Sequence, residues 1–196
     1  MATAGILTTL ADVKANLQIA STTQTWDAQL NGAIVSASGL IEARCNRHFA
    51  SQAYTEYYAG IGQKTLQLRE YPVSVLTSVS SDTARDFGAA SVLDADNYSL
   101  DGDTGTVYFD YALSYGNRSI KVVYTAGYTS FPAALTAAAV RLACIMFNER
   151  KSAGFSNESL GNFSKGFQGW GKATVASLPQ DVEAMLGEFI RYAVSE

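Results

Sequence analysis

The 196-residue sequence has little of what metal and catalytic sites usually need: one histidine, His48, and two cysteines. A single histidine excludes histidine-rich metal sites and the HExxH zinc motif. Cys45 and Cys144 are far apart and form no CxxC pair, so we expect two buried free thiols rather than a disulfide or a zinc site. The sequence therefore predicts neither a metal nor a cofactor.

Charge is also scarce, since only 16% of the residues are charged and the formal net charge is −4. This excludes a strongly basic protein that grips nucleic acid through counterion release. No stretch of the sequence has the length of a membrane span or the pattern of a secretion signal, so we expect a cytoplasmic product without a membrane partner. Aromatic residues, by contrast, make up 11% of the chain, which favours apolar surface that a protein partner covers.

Helical periodicity dominates both ends of the sequence. A capping box at Thr9–Asp12 predicts a short first helix, and an apolar stripe from Trp26 to Ile41 predicts a longer one over residues 25–47. Gly32 and Gly39 weaken that helix but would let another backbone approach closely. Pro132 precedes an almost wholly apolar segment, which predicts a third helix at the centre of the core or at a subunit interface.

Between these helices the period changes to two. Alternating segments predict six half-buried strands, separated by turns rich in Gly, Asn and Asp. Short connections favour an antiparallel meander. The predicted strands cover residues 54–58, 66–69, 73–79, 98–100, 106–109 and 119–124.

A glycine-rich segment over residues 152–174 has no period and predicts a long mobile loop, followed by a C-terminal amphipathic helix from Pro179. The predicted fold class is α+β, a small α-helical bundle with an inserted antiparallel β module and this loop. We expect one domain, with the helical core at residues 9–49 and 130–193 and the β insertion at about residues 50–128.

Three motifs suggest chemistry, each with a structural alternative that we favour. Residues 166–172 match half of a phosphate-binding loop, but Ala173 stands where a magnesium-binding hydroxyl is needed. The aspartates from Asp94 to Asp103 resemble a calcium loop but lack its final glutamate, so a hairpin turn is favoured and a weak cation site stays open. His48 has no nucleophile elbow near it, so a capping or packing role is favoured.

Four segments together resemble the tailed-bacteriophage head–tail connector proteins, also called head-completion or adaptor proteins. They are residues 7–14 (LTTLADVK), 41–49 (IEARCNRHF), 66–73 (LQLREYPV) and 123–128 (VYTAGY), followed by Pro132 with its helix and by Leu178-Pro179. The resemblance implies a structural virion protein at the head–tail interface. It further implies a ring, typically a dodecamer, that docks beneath the portal and prolongs the DNA channel toward the tail.

On this basis we expect a portal protein and a downstream tail or stopper protein as partners, with double-stranded DNA passing through unbound. Candidate ring-interface residues are Trp26, Glu42, Arg44, Arg141, Glu149 and Arg150. Candidate portal contacts, which mix aromatic and basic side chains as protein interfaces do, are Phe155, Phe163, Lys165, Phe167, Trp170, Phe189 and Arg191.

Two other classes of function remain open at this point. A tail-completion or stopper protein would also form a ring and contain a β module. A small hydrolase would need a pocket in which His48 meets a serine and a carboxylate.

Overall fold

The computed structural model describes residues 5–149, 157–160, 163–166 and 178–191. Contacts divide the chain into two units. The first, which we call the helical unit, consists of Met1–Phe49 and Ser130–Glu196. The second, the β unit, is Ala50–Thr129. Helices in one unit and antiparallel sheets in the other confirm the predicted α+β fold class.

Helix α1, Leu10–Asn16, begins at the predicted capping box. The Thr9 Oγ1 accepts a hydrogen bond from the backbone N–H of Asp12 at 3.2 Å, and the Asp12 carboxylate accepts one from the Thr9 N–H at 3.3 Å. Helix α2, Asp27–Cys45, is shorter at both ends than predicted. It stops because Asn46 adopts the left-handed conformation, with φ 53°, which closes a helix C-terminus.

Helix α3, Ala133–Glu149, starts directly after Pro132, as the sequence predicts. Helix α4, Gln180–Leu186, follows Pro179 and continues into a 3₁₀ turn, Gly187–Phe189. The core of the helical unit is built from the buried faces of these helices. Its members include Val13, Leu30, Ile34, Ile41, Leu135, Leu142, Phe147, Val182, Leu186 and Phe189.

The helical unit also contains two strands that the sequence analysis did not predict. Strands β7, Asn157–Leu160, and β8, Phe163–Gly166, form an antiparallel hairpin. They lie inside the segment over residues 152–174 that the sequence predicts as a long loop before the C-terminal helix, and they add a short hairpin to it. The rest of that segment lies outside the described residues.

The β unit contains β1, Gln52–Gly60; β2, Thr65–Gln67; β3, Val73–Ser81; β4, Tyr98–Asp101; β5, Thr106–Phe109; and β6, Gly116–Ala126. All six predicted strands are present. They form two antiparallel three-stranded sheets, in the orders β1-β6-β3 and β2-β5-β4.

The predicted meander is therefore wrong, because β6 pairs with both β1 and β3 rather than with β5. The reason is visible in β6, an eleven-residue strand that alternates buried and half-buried side chains along its second half. Such a strand can pair on both edges and fill the core from the centre of a sheet. That core includes Leu66, Leu68, Val79, Val107, Phe109, Ile120, Val122 and Tyr124.

Candidate assembly surfaces

Glu42, a predicted ring-interface residue, lies inside the helical unit, with only 6% of its side chain exposed. Its Oε1 accepts hydrogen bonds from the backbone N–H groups of Gly5 and Phe49, each at 3.3 Å, and its Oε2 lies 3.2 Å from Nδ1 of His48. A buried carboxylate needs such partners to offset its lost hydration. Glu42 therefore fixes the N-terminal segment and the end of α2, and it offers little surface to a neighbouring copy.

Arg44 and Arg141, two further ring-interface candidates, both pair with carboxylates of α4. Arg44 makes two hydrogen bonds to Glu183, at 2.8 and 3.2 Å, and Nε of Arg141 lies 2.8 Å from Asp181. These hydrogen bonds hold the pKa values of Glu183 and Asp181 below their usual range. The two arginines thus anchor α4 to α2 and α3.

The other ring-interface candidates lie at the ends of the helices. Trp26 immediately precedes α2; 40% of the residue is exposed, and its ring packs edge-on against Phe147 at a centroid distance of 6.3 Å. Glu149 is the last residue of α3, and Arg150 lies outside the described residues. Of these candidates, Trp26 has a large apolar surface left for a partner.

The exposed side of α2 is uncharged, a feature that the sequence analysis missed. No charged residue stands between Asp27 and Glu42, although half of this helix faces outward. Helical spacing places six exposed or half-exposed small or aliphatic residues on one side, and 54% of Val35 is accessible. We call this surface the α2 outer face: Ala28, Gly32, Val35, Ser36, Gly39 and Ala43.

The two glycines of this face do not serve the chain's own packing. A Cβ added at Gly32 or at Gly39 would meet no atom within 4 Å. No backbone of the described residues approaches them, and the close approach of a backbone from another copy stays a prediction. Each glycine still costs the helix about 1 kcal/mol relative to alanine, a cost that no internal contact of α2 explains.

The structure places the predicted portal contacts differently from one another. Phe189 is buried and packs edge-on against Phe49 at 6.0 Å, so little of its ring is available to a partner. The backbone N–H of Arg191 donates to the Cys45 carbonyl at 3.0 Å, which fixes the end of the C-terminal segment against α2. Phe163 and Lys165 belong to β8. The remaining candidates lie outside the described residues: Phe155, Phe167 and Trp170.

The β unit contains a polar cluster around Glu56. Its Oε2 accepts hydrogen bonds from the hydroxyls of Tyr58 and of Tyr124, the latter at 2.7 Å. The two hydroxyls in turn accept hydrogen bonds from the backbone N–H groups of Arg69 and Glu70, at 3.1 and 3.2 Å. Burial, together with the adjacent carboxylate, raises the pKa of both tyrosines. These hydroxyls stay neutral and tie β1 and β6 to the segment that follows β2.

The aspartate-containing segment that joins β4 to β5 forms a hairpin turn, as the sequence predicts, and one of its carboxylates accepts hydrogen bonds from the turn itself. The Asp101 carboxylate accepts hydrogen bonds from the Thr104 hydroxyl at 2.8 Å and from the Asp103 N–H at 3.2 Å, and its pKa is lowered chiefly by the Thr104 bond. Among the described residues, no group of His, Cys, Asp or Glu is arranged to hold a metal ion. The phosphate-loop match at residues 166–172 lies outside the described residues except for Gly166.

His48 does not acquire the partners that a hydrolase requires. Its one hydrogen-bonding partner in the described structure is Glu42, and no described serine bonds to it.

Both cysteines are free and buried, as predicted, and burial raises the pKa of Cys45 to about 11. No described helix is long and apolar enough to cross a membrane.

The described residues define an α+β protein with ion pairs inside the helical unit and an uncharged, exposed side on α2. A family model for the head completion protein matches residues 6–192, and the chain belongs to that family. This membership confirms the predicted family and agrees with the predicted location at a virion's head–tail interface.

Similar folds occur in chains from gene transfer agent particles. One comes from the neck of an empty particle computed with C6 symmetry (TM-score 0.61, 17% identity, covering 100% of this chain and 95% of that one). Another comes from the virion of a native particle (TM-score 0.58, 18% identity, 98% and 92% covered). A third comes from the neck of a native particle computed with C12 symmetry (TM-score 0.58, 17% identity, 100% and 94% covered). The comparison with curated protein sequences gave no match.

Proposed function

We propose that this protein is a structural, non-enzymatic head–tail connector. Copies of it form a closed ring beneath the portal, and the ring extends the DNA channel toward the tail. Family membership supports the connector role, and chains of similar fold come from necks computed with C6 and C12 symmetry. The structural observation that best supports ring formation is the α2 outer face, which is exposed or half-exposed and has no charged residue over four helical turns.

In this proposal the α2 outer face is the centre of the contact between neighbouring copies. Small residues let helices approach closely, and Val35 supplies an apolar contact at the middle of the face. Trp26, 40% exposed immediately before α2, offers a neighbouring copy a second apolar surface. Because a cyclic ring uses different patches on its two sides, the partner patch need not be another α2 outer face.

The charge distribution supports passage of DNA without binding. The helical unit has equal numbers of acidic and basic residues, whereas the β unit has nine acidic and five basic ones. A neutral-to-acidic protein releases few counterions from DNA and so does not hold the duplex in place.

We assign portal docking to residues 154–172 together with the C-terminal helix from Pro179. Aromatic side chains interleaved with lysine are typical of interface anchors. Two ion pairs and the Arg191–Cys45 hydrogen bond position α4 and the residues after it. The proposed contact of the α2 outer face and the proposed portal contact therefore use different parts of the chain.

Portal binding tests this assignment. We expect Phe167→Ala with Trp170→Ala to weaken co-sedimentation with portal rings, whereas Tyr111→Ala with Tyr115→Ala, which removes two exposed aromatics of the β unit, leaves it unchanged. Far-UV circular dichroism checks that both variants fold. Equal binding by the two variants contradicts the assignment, and preferential binding to tails rather than portals would instead indicate a stopper protein.

A further inference from the structure

Strand β1 lies at an edge of its sheet, and from Gln52 to Tyr58, before a register irregularity at its end, it has few of the features that usually protect an edge. It contains no lysine and no proline, and its one charged residue, Glu56, is engaged by the hydroxyls of Tyr58 and Tyr124. Its pairing with β6 is regular from Gln52 to Tyr58. Side chains at Ala53 and Thr55 are exposed. Long, flat, uncharged edges of this kind pair readily with another strand.

The opposite edge of the same sheet is covered. Near its ends, β3 receives a hydrogen bond from Leu93 N–H to the Val79 carbonyl at 2.8 Å and donates one from Val73 N–H to the Gly102 carbonyl at 2.7 Å. Two register irregularities also bend β3, and Val92 bridges to Ser80. One edge of the sheet is therefore blocked by the chain itself, while the β1 edge is paired with no strand in the described structure.

The β7–β8 hairpin, in contrast to the sheet of β1, has too few strands to be stable by itself. Its four residue pairs form a sheet of two strands in the part of the chain that the structure describes. A two-stranded hairpin is marginally stable in water and needs a third strand or a packing surface. In the sheet β1-β6-β3 the β1 edge can thus accept a strand, and the β7–β8 hairpin needs one.

We propose that the β7–β8 hairpin of one copy adds to β1 of the neighbouring copy and extends that sheet from three strands to five. This inference rests on the proposed ring, since a head-to-tail ring needs a donor and an acceptor on every copy, and this chain has one of each. Strand addition is held by backbone hydrogen bonds.

Amide hydrogen exchange before and after assembly on portal rings tests the pairing directly. We expect exchange to slow by about tenfold or more in β1 and in the hairpin on assembly, because backbone pairing protects amides. The β2 and β4 edges of the other sheet serve as the internal reference and keep their rates. Assembly without added protection in β1 and the hairpin overturns the inference and leaves the ring proposal standing.

Mixing two variants tests the direction of the contact. Ala53→Lys with Thr55→Lys charges the β1 edge, and a second variant replaces residues 157–166 by a Gly-Ser linker. We expect each variant alone to assemble poorly. In the mixture, the hairpin of the first variant can add to the unchanged β1 of the second, so native mass spectrometry should show more heterodimer than either homodimer. The control, Thr65→Lys with Ser99→Lys, places the same charges on exposed positions of β2 and β4 and assembles like wild type.

The outcomes separate the two proposals. Normal rings from both test variants refute strand addition only. A wild-type chain that stays monomeric with and without portal refutes the ring, and strand addition falls with it. A third outcome is that the linker variant loses portal binding while the variant with lysines at positions 53 and 55 assembles normally. That result shows that the hairpin pairs with the portal instead, and it also overturns the inference.

Discussion

At the scale of single residues, Tyr124 is the clearest case of a side chain that stabilises the inside of the β unit. It is fully buried, donates to Glu56 and accepts from the Glu70 N–H, and its ring stacks on Tyr54 at 5.5 Å. Its hydroxyl thus gives the Glu56 carboxylate a hydrogen bond besides the one from Tyr58 and also pairs a backbone N–H.

We expect Tyr124→Phe to lower the free energy of unfolding by about 1–3 kcal/mol, because the ring is kept and only the hydroxyl is lost. Urea denaturation of the free chain measures the change. Tyr108→Phe is the control, since Tyr108 is half-exposed and lies in the neighbouring sheet. A loss no greater than that of the control would show that the cluster around Glu56 contributes little.

The Arg44–Glu183 ion pair makes stability depend on pH. Because the folded-state pKa of Glu183 lies below its ordinary value of 4.5, the pair stabilises the fold above that value and is lost as the pH falls through the folded pKa. We expect Glu183→Gln to be less stable than the wild type at about pH 6. At about pH 3 the difference in stability between the two proteins should be smaller. Urea midpoints at both values, with Glu188→Gln as an exposed control, check this; a constant difference contradicts it.

At the scale of elements, local patterns in the sequence predicted which segments are helices and strands but not how they pair. Alternation located all six strands of the β unit, whereas β6 pairs with β3 across about forty residues, which no local pattern encodes. Arg44 and Glu183 are 139 residues apart, so the sequence suggested a ring-interface residue at Arg44, where the fold forms an ion pair within the chain. The uncharged run of α2 was visible in the sequence, but only the structure showed which side of it is exposed.

The glycines of α2 give a prediction at this scale. With nothing within 4 Å of either position, Gly32→Ala and Gly39→Ala should each raise the unfolding free energy of the free chain by about 0.5–1 kcal/mol. Thermal and urea unfolding measure this. A destabilised free chain would show that α2 packs differently from the structure.

A larger side chain on the same face should separate folding from assembly. We expect Gly39→Leu to leave the free chain folded and to prevent ring formation on portal, because it fills the space that a neighbouring copy occupies. Gly88→Leu, at an open position of the β unit, is the matched control and assembles normally. Wild-type assembly by Gly39→Leu would exclude the α2 outer face from the interface.

The whole molecule combines a neutral helical unit with an acidic β unit, and this bears on its relation to DNA. We expect no saturable binding of duplex DNA at about physiological salt, by fluorescence anisotropy, for either the free chain or the ring on portal. Tight, salt-sensitive binding would mean that a basic surface forms on assembly, and it would contradict the proposed passive channel.

The central claim is that sister copies cover the α2 outer face around a hollow axis. Electron cryomicroscopy of the chain mixed with portal rings tests it most directly. The account predicts a closed ring of identical copies beneath the portal, with Val35 and Gly39 buried between neighbours and an axial opening wide enough for duplex DNA. Copies bound separately, or a ring with α2 facing solvent, would contradict it.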